Sequence, residues 1–347
     1  MRRSVWLRIA LYGAIVLSPL ALSLVLGAGR QKGVALETGK SFALVAFAIL
    51  VMQFVLAARL KWIERPFGLD SIFRFHKAMA ILAVTLLIMH PLLLSVGTPG
   101  WFLLTSLDVP WYIWAGRVGL LVLLVQGVTS GFRGFLKIEF ETWRLMHDIL
   151  APLILVIVFV HSWNAGSDLK AGAMKMLWVI FFGGSILTYV YHRGVRKLLL
   201  RRNGFRVKEV RQESHDVWTL RFEPEQGSER YDHLPGQFHF VTLYRRGDLP
   251  AEEHPFTIAS SPTQPFLEST IKQSGDFTGR IPETIEDDRA TLHGPFGRFS
   301  YVLHPEQRQI VFIAGGIGVT PLMSMLRHMR DTQAGTDVLL IYANRTE

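Results

Sequence analysis

Residues 76–90 read HKAMAILAVTLLIMH and residues 147–161 read HDILAPLILVIVFVH, two apolar runs each closed at both ends by histidine at the same fourteen-residue interval. At 100° per residue, fourteen steps come to about 1,400°, within roughly 40° of four whole turns. Each pair therefore projects from one helix face, about 21 Å apart along the axis. One such histidine alone reads as a packing residue or a helix-end anchor. Two matched intervals read as a ladder of ligands, because an ionisable side chain is expensive in a bilayer and needs a partner. The natural partner of an imidazole nitrogen here is haem iron. Two facing helices can grip two stacked haems, one between His76 and His147 and one between His90 and His161.

Composition divides the chain in two. Half of its residues are hydrophobic, concentrated before about residue 195, whereas most acidic residues come later. This marks a membrane domain followed by a soluble one. Apolar spans are read at 5–27, 41–60, 76–95, 112–131, 147–163 and 174–192. The net charge of +9 is spent around these spans rather than on nucleic acid: Arg2, Arg3 and Arg8; Arg59, Lys61, Arg65, Arg74 and Lys77; Arg193, Arg196, Lys197, Arg201 and Arg202. These read as topology signals and lipid-headgroup contacts. They put both termini in the cytoplasm, with His76 and His147 near it and His90 and His161 towards the outside. The third-to-fourth connection, Ser95 to Pro110, has no basic residue, which favours a small neutral acceptor. The first span could alternatively be a signal peptide, against which its length and the even span count argue. Pro91 and Pro152 are tolerated in membrane helices, as kinks or as packing irregularities. With no cysteine, disulfides, zinc–thiolate sites and thiol catalysis are excluded.

After Arg202 short β-rich runs follow, at Phe205–Val210, Val217–Phe222, Phe238–Tyr244, Phe256–Ala259 and Phe266–Lys272, and predict a small antiparallel barrel. Then comes a buried-strand run, Gln309–Ala314, a turn Gly315-Gly316-Ile317-Gly318, and a helix over Leu322–Met329, with Thr320 as cap and Pro321 at the first helical position. A strand, a glycine turn and a helix N-terminus form an anion cradle, since free N–H groups point at a bound pyrophosphate.

At this point the residues resemble the NADPH oxidase and transmembrane ferric reductase superfamily, a ferric reductase-like haem domain fused to a ferredoxin reductase-type flavoprotein module. His254-Pro255-Phe256-Thr257-Ile258-Ala259-Ser260 looks like its flavin motif, and Leu234-Pro235-Gly236-Gln237-Phe238 like the strand before it. Ile271-Lys272, Gly275-Asp276-Phe277-Thr278 and Gly294-Pro295-Phe296-Gly297 are similar to the later flavin motifs; Ala314 to Pro321 is similar to the nicotinamide-nucleotide motif. The resemblance covers nearly the whole chain. It implies a multi-domain membrane protein: a six-helix transmembrane haem bundle (1–200), an antiparallel β-barrel FAD domain (203–304), and the start of an α/β nucleotide-binding domain (308–347).

It further implies FAD contacts from His254, Pro255, Phe256, Thr257, Lys272, Gly275, Phe277 and Thr278, with the Thr257 hydroxyl on the isoalloxazine edge and Gly275–Thr278 turned against the pyrophosphate. NADPH or NADH contacts fall to Gly315, Gly316, Gly318, Thr320 and Arg345. The implied activity passes electrons from NAD(P)H through FAD and two b-type haems across a bacterial inner membrane, to dioxygen, giving superoxide, or to a ferric chelate. No obligatory protein partner is evident. A dihaem cytochrome b relay served by a separate reductase is the alternative; the flavin motifs argue against it and the expected truncation argues for it. A voltage-gated proton channel would need regularly spaced arginines within one span, and none is present. The chain stops at Glu347, in the second strand of the nucleotide domain, where the family continues, so it is expected to be a fragment or a truncated product.

Overall fold

The computed structural model describes residues 2–27, 33–96, 101–247 and 249–344. Six long helices come first: α1 Arg2–Leu26, α2 Val34–Ala57, α3 Leu69–Val96, α4 Trp111–Gly131, α5 Phe140–Ala165 and α6 Gly172–Val190. Each is long and apolar enough to cross a membrane. Helices α3 and α5 start about two turns before the apolar runs, at Leu69 and Phe140. Polar residues such as Asp70, Arg74 and Glu141 extend them into the interface, so His76 and His147 lie well inside their helices. Pro91 and Pro152 sit within helices that continue past them.

Helix α2 organises this unit. Its Leu44, Phe47, Ala48 and Val51 pack with Leu155 of α5 and with Met174, Trp178 and Phe181 of α6. Phe47 stacks on Trp178 at 4.5 Å between centroids, and the Trp178 indole N–H donates to Ser162 Oγ at 2.8 Å. The opposite stripe, Ile49 and Met52, meets Val16 of α1 and Ala83 of α3. Outward residues such as Leu121, Leu145, Ile180 and Leu187 remain exposed, as a lipid-facing surface requires.

The chain divides into two compact units, the second running from Arg193 onward with Phe67–Leu69 added. Here the strands are β1 Phe205–Ser214, β2 Val217–Pro224, β3 Phe238–Tyr244, β4 Glu253–Thr257, β5 Leu267–Lys272 and β6 Arg289–Phe296. They form one sheet in the order β4-β3-β6-β1-β2-β5, antiparallel at every pairing. The sheet curls until its ends meet, where Ala259 N donates to Glu268 O at 2.7 Å. Phe205, Val207, Leu220, Phe222, Val241, Leu243 and Ile258 fill the barrel.

The structure departs from these expectations at three points. Strand β6 was not predicted; it contains Gly294 and Pro295, residue types that are unfavourable inside strands. The motif strand β4 runs Glu253–Thr257 rather than Phe256–Ala259, and tolerates Pro255 because it is an edge strand. Nor is every basic residue of the Arg193–Arg202 cluster a headgroup contact: Arg196 is buried in this unit, with Nη1 3.3 Å from His293 Nδ1 and Nη2 3.9 Å from Glu253.

The last segment is a parallel pair, β7 Gln309–Gly315 and β8 Asp337–Ala343, joined through α7 Thr320–Asp331. Phe312, Ala314, Leu322, Met325 and Met329 form its core.

Candidate functional site

The structure brings the four span histidines together in two couples. His76 and His147 stand 6.4 Å apart between ring centroids, and His90 and His161 stand 6.5 Å apart. Helix periodicity explains why both couples form at once: α3 and α5 run in the same direction, so equal intervals meet at equal depth.

The second couple is held by backbone. His90 Nδ1 is 2.8 Å from the Gly39 carbonyl of α2, and His161 Nδ1 is 2.6 Å from the Tyr112 carbonyl of α4. A carbonyl only accepts, so each Nδ1 carries the proton and each Nε2 keeps its lone pair. That is the tautomer a metal-ligating histidine adopts, with its other nitrogen donating to a backbone carbonyl. Gly116 makes the approach of α4 to His161 possible: a Cβ there would lie 2.6 Å from His161 Cε1 and 2.7 Å from its Nδ1.

These residues fit haem. Two imidazoles on opposite sides of one metal, with about 2.0 Å per metal–nitrogen bond and about 1.1 Å from nitrogen to ring centre, have centroids about 6 Å apart. Both couples match that separation. The third-to-fourth connection is less neutral than its lack of basic residues suggests. It carries Asp108, and Arg117 of α4 reaches back to it, donating to the Leu103 carbonyl at 2.7 Å and the Ser106 carbonyl at 2.8 Å. Its guanidinium also lies 4.7 Å from the Trp114 ring centre.

In the barrel, His254 stacks on Phe277 at 4.0 Å and 23°, and Phe256 lies 6.3 Å from Phe277. The flavin-motif strand and the Gly275–Thr278 segment thus share one aromatic cluster. His254 Nε2 is 3.0 Å from Glu252 Oε2. Pro255 is exposed on the edge strand, and Thr257 closes it opposite Phe238. The Thr257 hydroxyl has no hydrogen-bond partner among the described residues and is free to bond a flavin. Thr278 Oγ1 instead accepts from Ser274 N at 2.9 Å, fixing the turn that Gly275 opens. Lys272 is not a free charge, since its Nζ is 3.0 Å from Asp216 Oδ2. The set fits FAD through aromatic surface and hydroxyl groups more than through net charge. Thr257→Ala is expected to weaken FAD binding by up to about tenfold, the loss of one hydrogen bond of about 0.5–1.5 kcal/mol. Fluorescence titration of the deflavinated full chain measures this, and an unchanged affinity would remove Thr257 from the site.

Sequence motifs whose roles were unspecified prove to be braces. Gln237 accepts from Leu234 N at 2.7 Å and donates to the Gly297 carbonyl at 2.8 Å, tying the LPGQF turn to the Gly294–Gly297 segment. Gly236 has φ +91°, and a Cβ there would run into the Phe299 carbonyl and Met325. His239 is fully buried between Tyr231 and Ser269, at 2.5 and 2.7 Å. Burial, helped by His233 nearby, pushes its pKa down to about 3, so it is a neutral packing residue.

The glycine turn lies between β7 and α7 as expected, with Gly315 ending the strand and Gly316 and Gly318 in a 3₁₀ turn. Thr320 is not the helix cap. It is the first residue of α7 and its hydroxyl donates to the Ile317 carbonyl at 3.0 Å, closing the turn instead. Arg345 lies outside the described residues. Helix α7 is tied to the flavin motif: Ser324 Oγ donates to the Ser260 carbonyl at 2.8 Å and Arg327 Nη1 to the Ala259 carbonyl at 2.7 Å.

Comparison with known proteins follows this division. Residues 42–158 match the ferric reductase like transmembrane component family, residues 202–319 an FAD-binding domain family, and residues 312–347 the oxidoreductase NAD-binding domain family. The chain is 36% identical over 151 residues to the glycine betaine monooxygenase reductase subunit of Chromohalobacter salexigens, covering 42% of this chain and 39% of that protein. It is 25% identical over 243 residues to a superoxide-generating NADPH oxidase heavy chain of Dictyostelium discoideum, covering 64% and 44%. With dual oxidase 1 of Homo sapiens it shares 26% identity over 303 residues, covering 77% and 18%. The chain thus spans less than half the length of these relatives. A ferric reductase like membrane component followed in order by flavin and nucleotide domains, with an NADPH oxidase and a dual oxidase among its relatives, places this chain in the ferric reductase-like and NADPH oxidase superfamily.

Proposed function

We propose that this chain oxidises NAD(P)H on the cytoplasmic side of a membrane and delivers electrons singly to an acceptor on the other side. The observation that carries this reading is the pair of histidine couples at two depths of an apolar bundle. When bound, FAD supplies conversion between two-electron and one-electron chemistry, and two b-type haems supply one-electron sites across the bilayer.

The protein's own groups hold these sites. His76 with His147, and His90 with His161, are the ligand couples, the latter kept in the ligating tautomer by the Gly39 and Tyr112 carbonyls. His254, Phe256 and Phe277 offer an aromatic wall to the flavin, Thr257 a hydroxyl, and Gly275–Thr278 a turn for its pyrophosphate. Gly315, Gly316, Gly318 and Thr320 form the turn for the nicotinamide nucleotide, with Arg345 as a candidate contact to a 2′-phosphate. The basic residues flanking the spans put both termini, and the flavin domain with them, in the cytoplasm. Dioxygen, giving superoxide, and ferric chelates are the candidate acceptors.

Sidedness tests the proposal. In sealed vesicles of known orientation, supplied with chemically reduced flavin or NAD(P)H, superoxide or ferrous iron is expected only on the face opposite the flavin domain. His90→Leu should abolish that signal. Product on the flavin side, or undiminished turnover in His90→Leu, would show that electrons leave before crossing.

A further inference from the structure

The two histidine couples are not equally served. His90 and His161 each donate Nδ1–H to a carbonyl, whereas Nδ1 of His76 and of His147 is buried with no hydrogen-bond partner. Two glutamine side chains in the same bundle are in the complementary condition. Gln53 has both amide atoms buried without a partner, and Gln126 has its Oε1 so. An unpaired buried polar group costs about 1–3 kcal/mol, so ring nitrogens and amide oxygens left unpaired in one apolar interior are groups that pairing with one another would relieve.

Register puts the glutamines where they are needed. Helices α2 and α3 are antiparallel and meet at Gly39 and His90. Fourteen residues forward along α2 and fourteen back along α3 arrive at Gln53 and His76. The Gln53 main-chain carbonyl also faces the His76 ring, but not at a geometry that bonds Nδ1, which stays without a partner. Helices α4 and α5 are also antiparallel and meet at Tyr112 and His161. The same fourteen-residue step arrives at Gln126 and His147. Four residues beyond, this register is pinned by the Trp143 indole N–H donating to Ser130 Oγ at 3.1 Å. The fourteen-residue interval of the ligands is thus repeated in the helices that flank them, with backbone acceptors at one depth and glutamines at the other.

We propose that Gln53 and Gln126 are the positioning residues of the inner couple, their amide oxygens accepting Nδ1–H of His76 and His147. They do with side chains what Gly39 and Tyr112 do with main-chain carbonyls. Such a partner fixes the ring orientation and raises ligand basicity, favouring the ferric over the ferrous state. The Nδ1 acceptors of the inner couple can therefore be changed by side-chain substitution, whereas those of the outer couple, being main-chain carbonyls, cannot.

This rests on the histidine couples being haem ligands, and the experiment separates the two ideas. Redox titration of the purified full chain, followed by the haem absorption bands, is made for wild type, Gln53→Met, Gln126→Met, and the corresponding Glu variants, which keep an oxygen acceptor. Each Met variant is expected to raise the midpoint of one haem by about 60 mV, a tenfold preferential loss of ferric-state affinity converted for one electron. That haem should be the one His76→Ala removes, and the other midpoint should not move. Each Glu variant should stay at or below the wild-type value. Two haems with unmoved midpoints in the Met variants, or a shift confined to the haem that His90→Leu removes, would overturn the inference. Equal haem loss in the Met and Glu variants would make the glutamines packing residues and overturn it also. Wild-type protein that binds no haem would instead sink the reading on which it rests.

Discussion

His147→Ala is expected to leave the purified protein with one b-type haem instead of two, and His76→Ala should remove that same haem. The couple stands 6.4 Å apart between centroids, with one imidazole from α3 and one from α5. Removing either leaves a single nitrogen donor at that depth. The other two ladder histidines cannot replace it, since they lie fourteen residues, about 21 Å, further along each helix. Haem-to-protein ratio and the reduced-minus-oxidised spectrum measure the outcome. If the two substitutions deplete different haems, the pairing across α3 and α5 is wrong.

Gly116→Ala is expected to have a comparable effect on the other haem through one methyl group. The added Cβ would sit 2.6 Å from His161 Cε1, and the ring cannot move away without giving up its 2.6 Å bond to the Tyr112 carbonyl. Overpacking of this kind costs about 1–3 kcal/mol, and losing the orienting partner of a metal ligand costs roughly 10- to 100-fold in affinity. Loss of the haem that His161→Ala removes, with the other intact, is the expected spectrum. Gly127→Ala on the same helix is the control, because a Cβ there meets nothing within 4 Å. Two haems with unaltered midpoints in Gly116→Ala would mean that α4 does not set the His161 ring.

How much of this was legible in the sequence depends on which groups carry it. The four histidines were legible because helical geometry converts a residue interval into a depth, and two equal intervals specify two facing couples. The barrel was legible from alternating strands, but β6 was hidden by Gly294-Pro295, and the limits of β4 by Pro255, which an edge position tolerates. The acceptors on Gly39 and Tyr112 left no trace in residue type, since every residue has a carbonyl and only helix packing decides which one faces a ring. The glutamines did leave a trace. Gln53 and Gln126 are polar residues inside apolar spans, at the ligand interval from Gly39 and Tyr112, and a search of the flanking spans for that interval would have found them. The ion pair of Lys272 with Asp216 was invisible because it joins β5 to the β1–β2 turn, distant in sequence.

The attachment of α7 to the flavin motif limits how the nucleotide end can move. A hinge at this junction would have to break the Ser324–Ser260 and Arg327–Ala259 hydrogen bonds and the 2.7 Å bond from Thr263 to Asp331. At about 0.5–1.5 kcal/mol each, the opened form would be populated at roughly 0.05 to 7%. A ligand arriving at the glycine turn therefore meets a docked wall in nearly every encounter. The spacing between the glycine turn and the flavin strand is thereby held by the same three hydrogen bonds.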